Sequence, residues 1–211
     1  DRGGSVVIPS FAVGRTQELL YFIREIKEKH LVKVNPDFEV YVDSPLAIEA
    51  TNIFNKNVRE CFNEDALKRI MEGDNPIQFP GLRTSVSSDD SKMINFVKKP
   101  IVIISASGMC EAGRILHHLK HNLWRPECTV LFVGYQVPGT LGNKLLNGVK
   151  EVKLFGEAIQ VKAEIVNLPG MSGHADRQHL TDWVSQMKEK PKRIFVVHGE
   201  DSVCDEFAEH L

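Results

Sequence analysis

Two histidines in this chain are flanked in a way that suits chemistry. His174 lies in Ser172-Gly173-His174-Ala175-Asp176, and His198 lies in Val197-His198-Gly199-Glu200. Each motif follows an apolar run, residues 165–168 and 194–197, that reads as a strand. Each imidazole is therefore expected on a loop at the rim of a sheet, where ligands and metals commonly bind. Neutral imidazole is the commonest protein ligand for zinc, and the glycine after His198 lets that ring project without crowding. A lone histidine is equally open to a structural or surface role. His174 stands next to Asp176, which opens a helix with the apolar face Leu180, Trp183, Val184 and Met187. Backbone N–H groups at that helix start, with the Ser172 hydroxyl, form a phosphate or oxyanion site in which the imidazole can protonate a leaving oxygen. The alternative is an ordinary capped helix start.

A second anion-friendly loop is Ser105-Ala106-Ser107-Gly108, after the apolar run 101–104, where small residues let a backbone approach a phosphate closely. It has neither the glycine spacing of a dinucleotide fingerprint nor the Gly-Lys-Ser/Thr of a P-loop, so nucleotide binding has little support. Gly14-Arg15 follows the first strand-like run; Arg15 can grip a phosphate with both arms or sit in a salt bridge at a helix start. His117 and His121 fall one helical turn apart, a spacing known for metal pairs, but no acid separates them in the His-Glu-x-x-His manner. Asp43 reads either as a polar group at a strand end or as a turn residue before Ser44-Pro45.

These residues need elements to carry them. A short apolar run at 5–8 precedes a helix at 16–29 with Leu19, Leu20, Ile23 and Ile26 on one face; a strand at 38–42 precedes a helix opened by Ser44-Pro45. Residues 63–97 are less regular, with 85–91 expected as a surface loop. Buried-type strands at 101–104 and 129–133 flank a helix at 112–123, a short helix ends near Asn147-Gly148, and a hairpin is expected around Gly156-Glu157. The alternation predicts an α/β fold with a largely parallel, doubly wound sheet over residues 1–160 and a separate unit over 161–211, with a boundary near Val161.

Composition narrows the class. Of 211 residues, 42% are apolar and 26% charged, the balance of an ordinary globular protein, and the formal charge of −2 excludes an overall basic coat for nucleic acid. A nucleic-acid enzyme would have to focus positive potential in a channel. There is no apolar run of about 18 residues and no signal-peptide pattern. Cys61, Cys110, Cys128 and Cys204 form no Cys-x-x-Cys pair, so a reducing cytoplasm is expected. The start at Asp1 and a final repeat of Val203, Phe207 and Leu211 without a stop signal predict an internal piece of a longer protein.

Five segments together resemble the β-CASP branch of the metallo-β-lactamase superfamily, the RNA-processing nucleases of the ribonuclease J and polyadenylation-endonuclease type. They are the stretch from Ile8-Pro9-Ser10-Phe11 through Gly14-Arg15-Thr16-Gln17-Glu18, then Ser107-Gly108-Met109, Gly134-Tyr135-Gln136-Val137-Pro138-Gly139-Thr140-Leu141, and the two histidine motifs. They occur in the family's order over nearly the whole chain. The resemblance implies that residues 1–160 are the β-CASP cap that clamps single-stranded RNA, and that 161–211 return to the metallo-β-lactamase αβ/βα fold. It implies that His174 assists the leaving group and that His198 ligates one of two zinc ions, with in-line hydrolysis of a phosphodiester. Ser107, Gly108, Arg15, Ser172, Gly173 and Ala175 are the residues it implies for contact with RNA.

The family's His-x-His-x-Asp-His signature, third zinc histidine, bridging aspartate and motif A acid lie before the cap in the family's order and are absent from this sequence. The expectation is therefore a zinc-dependent ribonuclease as the parent, with this piece inactive alone and unable to assemble the two-zinc centre. Its expected partners are RNA, the missing N-terminal metallo-β-lactamase half and a second copy of itself; a membrane is not among them. The rival readings are a non-catalytic RNA-binding or scaffold subunit with the same fold, and a doubly wound small-molecule-binding domain.

Overall fold

Valine and isoleucine runs account for the centre of the molecule. In the computed structural model, which describes residues 1–171 and 173–211, β1 (Val6–Pro9) is the fourth of six strands. It is followed by α1 (Arg15–Glu28), β2 (Glu39–Val42) and α2 (Pro45–Lys56). Ser44 caps α2 by accepting from the Ala47 N–H, with proline in the first turn. Next come α3 (Val58–Cys61), α4 (Glu64–Met71), β3 (Leu82–Thr84) and α5 (Ser88–Ile94). Then β4 (Ile101–Ser105), α6 (Ile115–Asn122), β5 (Thr129–Phe132), α7 (Leu141–Leu146), the hairpin β6 (Glu151–Leu154) and β7 (Glu157–Gln160), and β8 (Glu164–Asn167) complete the larger part.

The sheet runs β3-β2-β4-β1-β5-β8 and every pairing in it is parallel. A parallel sheet must be covered on both faces, and the alternation of side chains divides the core accordingly. Val7, Ile103, Val130 and Phe132 pack with Ile115, Leu119 and Leu123 of the α6 side. Ile8, Val40, Val42 and Ile104 pack with Leu19, Leu20 and Ile23 of α1. The connections leaving the adjacent strands β1 and β4 thus go to opposite faces, which opens a crevice at the carboxyl ends of those two strands.

Two expectations need correction. Residues 85–91 are not a loop throughout: α5 begins at Ser88, held by a capping box in which the Ser87 side chain accepts from Asp90 N and the Asp90 side chain accepts from Ser87 N. The polar first turn of that helix masks the buried Ser91 and Ile94 behind it. Residues 194–197 pair with no strand among the described residues, and Phe195 and Val197 are 79% and 78% exposed. A strand exists through its ladder partner, which apolar alternation by itself does not provide. The hairpin forms where expected, with Phe155 and Gly156 at φ 51° and 84° making a two-residue turn.

The chain divides into two compact units, Asp1–Met171 and Ser172–Leu211. The smaller unit holds α8 (Arg177–Ser185) and α9 (Asp201–His210), neither of which buries a residue. No helix of the described residues is long and apolar enough to cross a membrane.

Candidate functional site

In the larger unit the crevice is closed at its base by the Ser10 N–H, which donates to the Ser105 carbonyl at 3.0 Å. Phe11 follows and lays its ring on Gly108: a Cβ there would stand 3.2 Å from two ring carbons and 3.3 Å from the Phe11 nitrogen. The ring is nonetheless 51% exposed. The Ser107 hydroxyl accepts from the Glu111 and Ala112 N–H groups at 3.1 and 3.3 Å, which leaves its own proton to donate outward. A hydroxyl that accepts two bonds is a better donor to a phosphate oxygen.

The loop after β4 is latched to the loop after β5. Gln136 Nε2 donates to the carbonyls of Gly108 and Gly134 at 3.0 and 3.1 Å, the Gly142 N–H to Met109 O at 3.1 Å, and the Leu141 N–H to Glu111 Oε1 at 2.6 Å. A side chain at Gly142 would displace the Gln136 amide, since a Cβ would fall 1.8 Å from Gln136 Oε1. Arg15 opens α1 behind Gly14, and its guanidinium pairs with Glu18 at 2.6 Å on its own helix.

The sequence reading left the hub of this region undecided. Asp43 is 0% exposed at the end of β2. Its carboxylate accepts from Arg114 at 2.8 Å, Ser91 Oγ at 2.6 Å and His118 Nε2 at 2.6 Å, and its backbone carbonyl accepts from Ser105 Oγ at 2.8 Å. Burial works against the charged carboxyl, but the hydrogen bonds from His118, Ser91 and Arg114 outweigh it and hold the group at about 2. His118 is also 0% exposed, with Nδ1 3.0 Å from the Asn95 side-chain oxygen. The signal for it was available: His118 shares the buried face of α6 with Ile115, Leu119 and Asn122, at helical spacing. His117 lies off that face and stacks on Phe155 at 4.4 Å, while burial lowers the pKa of His121. The metal pair considered for His117 and His121 gains no third donor, because the described residues contain no cluster of three or more histidine, cysteine or acidic groups that could hold an ion.

In the smaller unit, the rings of His174 and His198 meet edge to face with centroids 6.4 Å apart. His198 has φ 71°, a left-handed conformation that a non-glycine residue adopts at a cost and that is common at working sites. Asp176 caps α8 through the His179 N–H at 2.9 Å and also meets His179 Nδ1 at 2.9 Å. The backbone N–H of His179 in particular keeps the Asp176 carboxyl below its usual range. The anion site expected at this helix start therefore already has one N–H taken by the cap. Gly173 and Ala175 are exposed on the loop that carries His174, and Ser172 lies outside the described residues. Tetrahedral zinc takes about four ligands. The described residues offer imidazole donors of the right kind and no group of three or more such donors.

Two known families match successive parts of the chain, and the second match begins inside the larger unit. The Beta-Casp domain family matches residues 16–145, and the Zn-dependent metallo-hydrolase RNA specificity domain matches residues 158–211. The chain is 37% identical to Ribonuclease TTHA0252 of Thermus thermophilus over 95% of its own length and 44% of that protein. It is 35% identical to the transcription termination factor FttA of Methanosarcina mazei and 34% identical to that of Methanocaldococcus jannaschii, over 99% of its length and 33% of theirs in both cases. It thus spans less than half the length of these relatives.

Proposed function

Because the chain belongs to the Beta-Casp family, we propose that it is the RNA-holding portion of a zinc-dependent ribonuclease, with residues 1–160 as the cap and 161–211 as the returning part of the metallo-β-lactamase fold. The observation that carries this reading is the facing pair of histidines, His174 and His198, with their ring centroids 6.4 Å apart. Lys and Arg content gives no overall attraction for RNA, so recognition falls to shaped contacts. In the larger unit, the Ser107 hydroxyl donates to a phosphate oxygen and the half-exposed Phe11 ring offers a stacking face for a base; Gly108, expected to let an RNA backbone come close, is buried under that ring and acts by seating it. Arg15, paired with Glu18 beside the first strand, would exchange that carboxylate for a phosphate to take part. Gly173 and Ala175 flank the scissile phosphate in the smaller unit, as does Ser172.

In the reaction, a water oxygen forms a new bond to phosphorus as the bond to the leaving ribose oxygen breaks. His174 returns a proton to that oxygen. His198 would hold zinc through an imidazole nitrogen, and the remaining ligands would come from the metallo-β-lactamase half of the longer protein. The chemistry expected of bound zinc is Lewis-acid neutralisation of the phosphodiester. The exposed Trp183, Phe195 and Val197 form a face for that half to cover, and in its absence for self-association. Free cysteines at 61, 110, 128 and 204 suit a cytoplasmic setting.

The test is cleavage of single-stranded RNA by the longer protein and by the 211-residue chain. The longer protein should cut and the short chain should not. His174→Ala should lower cleavage by about 10²–10⁴-fold with metal retained, as loss of a general acid does. His198→Ala should lose both metal and cleavage. Undiminished cleavage with both histidines replaced would overturn the assignment. RNA bound but never cut by the longer protein would favour the scaffold reading.

A further inference from the structure

Asp43 contacts none of the groups assigned above to RNA, yet it gathers donors from separate parts of the fold: Ser91 on α5, Arg114 just before α6 and His118 within it. A buried charge cluster of this kind is weak evidence for stability, since apolar residues of similar volume commonly serve as well. Its geometry suggests another purpose. The loop 106–113 leaves the sheet at Ser105 and joins α6 at Arg114, and Asp43 holds both stems. Ser105 Oγ donates to the Asp43 carbonyl at 2.8 Å, and Arg114 donates to the Asp43 carboxylate at 2.8 Å. Arg114 further donates to the carbonyls of Ser85 and Val86 at 3.0 and 2.7 Å, so the guanidinium cannot swing without breaking three bonds. Within the loop, Gly113 at φ 86° has no space for a side chain, as a Cβ would stand 2.6 Å from Ala106 O.

We propose that Asp43, Arg114 and His118 form a positioning cluster that sets the height of loop 106–113, and with it the Ser107 hydroxyl, against RNA. The inference rests on the reading above that Ser107 contacts RNA, and it deepens that reading by assigning residues that act on the substrate only through the loop. Asp43 fixes the stems, His118 fixes the Asp43 carboxylate from the helix side, and Arg114 carries the constraint into the loop. A substrate that reaches the catalytic centre without using the loop should not sense the cluster.

The experiment uses the longer protein with two substrates, single-stranded RNA and bis(p-nitrophenyl) phosphate, a diester too small to span both regions. Asp43→Asn keeps the shape and removes the charge; Arg114→Lys keeps a charge and loses the fork that reaches Ser85 and Val86. Each should raise KM for RNA about tenfold, with kcat/KM for the small diester unchanged within about twofold. If Asp43→Asn does not fold, Arg114→Lys decides. Ser107→Ala is run alongside. Where Ser107→Ala raises KM for RNA and both cluster variants leave it unchanged, the positioning inference is overturned and the RNA reading stands. Where Ser107→Ala leaves KM for RNA unchanged, the reading of the loop falls and the inference falls with it. Equal loss on both substrates in the cluster variants would mark a general structural role and also overturn it.

Discussion

The two units solve the same problem, holding chemically useful side chains still, by different means. In residues 1–171, side chains are fixed from within: two apolar clusters cover the two faces of one sheet, and the Asp43 cluster ties three elements together around a fully buried carboxylate. In residues 172–211, α8 and α9 bury nothing, and Trp183 is 65% exposed, yet this unit carries both histidines of the proposed chemistry. A patterned amphipathic segment needs a surface as much as a sequence. The larger unit supplies its own surface, whereas the smaller one displays an apolar face that its own residues leave uncovered.

The sharpest way to break this comparison is to remove one ring from each unit. Phe132 is fully buried, and Phe132→Ala should cost about 3–5 kcal/mol in equilibrium urea unfolding. Phe195→Ala should change stability by no more than about 0.5 kcal/mol, because its ring is already in water. Comparable losses would mean that the smaller unit has a core after all.

Acid provides a finer test. Asp43 sits at about 2 in the folded chain against an ordinary 3.8, so the folded state favours its ionised form. That contribution, about 2 kcal/mol, is fully present above pH 4 and is lost as pH falls from about 4 to 2. Asp43→Asn should flatten that part of the stability profile. A mutant profile parallel to the wild type over this range would show that the cluster does not hold the charge.

A smaller effect than that of Asp43 is expected at the crevice. Phe11→Ala should weaken single-stranded RNA by about 1 kcal/mol, roughly fivefold in Kd, because one side of the ring is already committed to Gly108. No change, measured by fluorescence anisotropy, would remove Phe11 from the proposed RNA path and leave the crevice without its stacking face.

Much of this was legible from local pattern. The runs at β1, β4 and β5 are apolar on both sides, which a parallel sheet requires, and Ser44-Pro45 announces the helix it caps. The family resemblance supplied the roles proposed for His174 and His198, which neither periodicity nor spacing could give. The Asp43 to His118 contact was not legible, because it joins residues 75 positions apart through a strand order the chain does not spell out. The apolar run at 194–197 misled for the opposite reason. It has strand chemistry, but pairing is a property of two segments and only one was in view.

One small contact ties two positions together as a unit of inheritance. Because a Cβ at position 142 would fall 1.8 Å from Gln136 Oε1, any descendant that gains a side chain there must move or shorten residue 136. Shortening it forfeits the bond to the Gly108 carbonyl and frees the loop after β4 from its neighbour. A change at Gly142 is therefore felt first at Gln136 and, through it, by the loop that carries Gly108. Sequences with a side chain at position 142 are where a differently shaped crevice should first be sought.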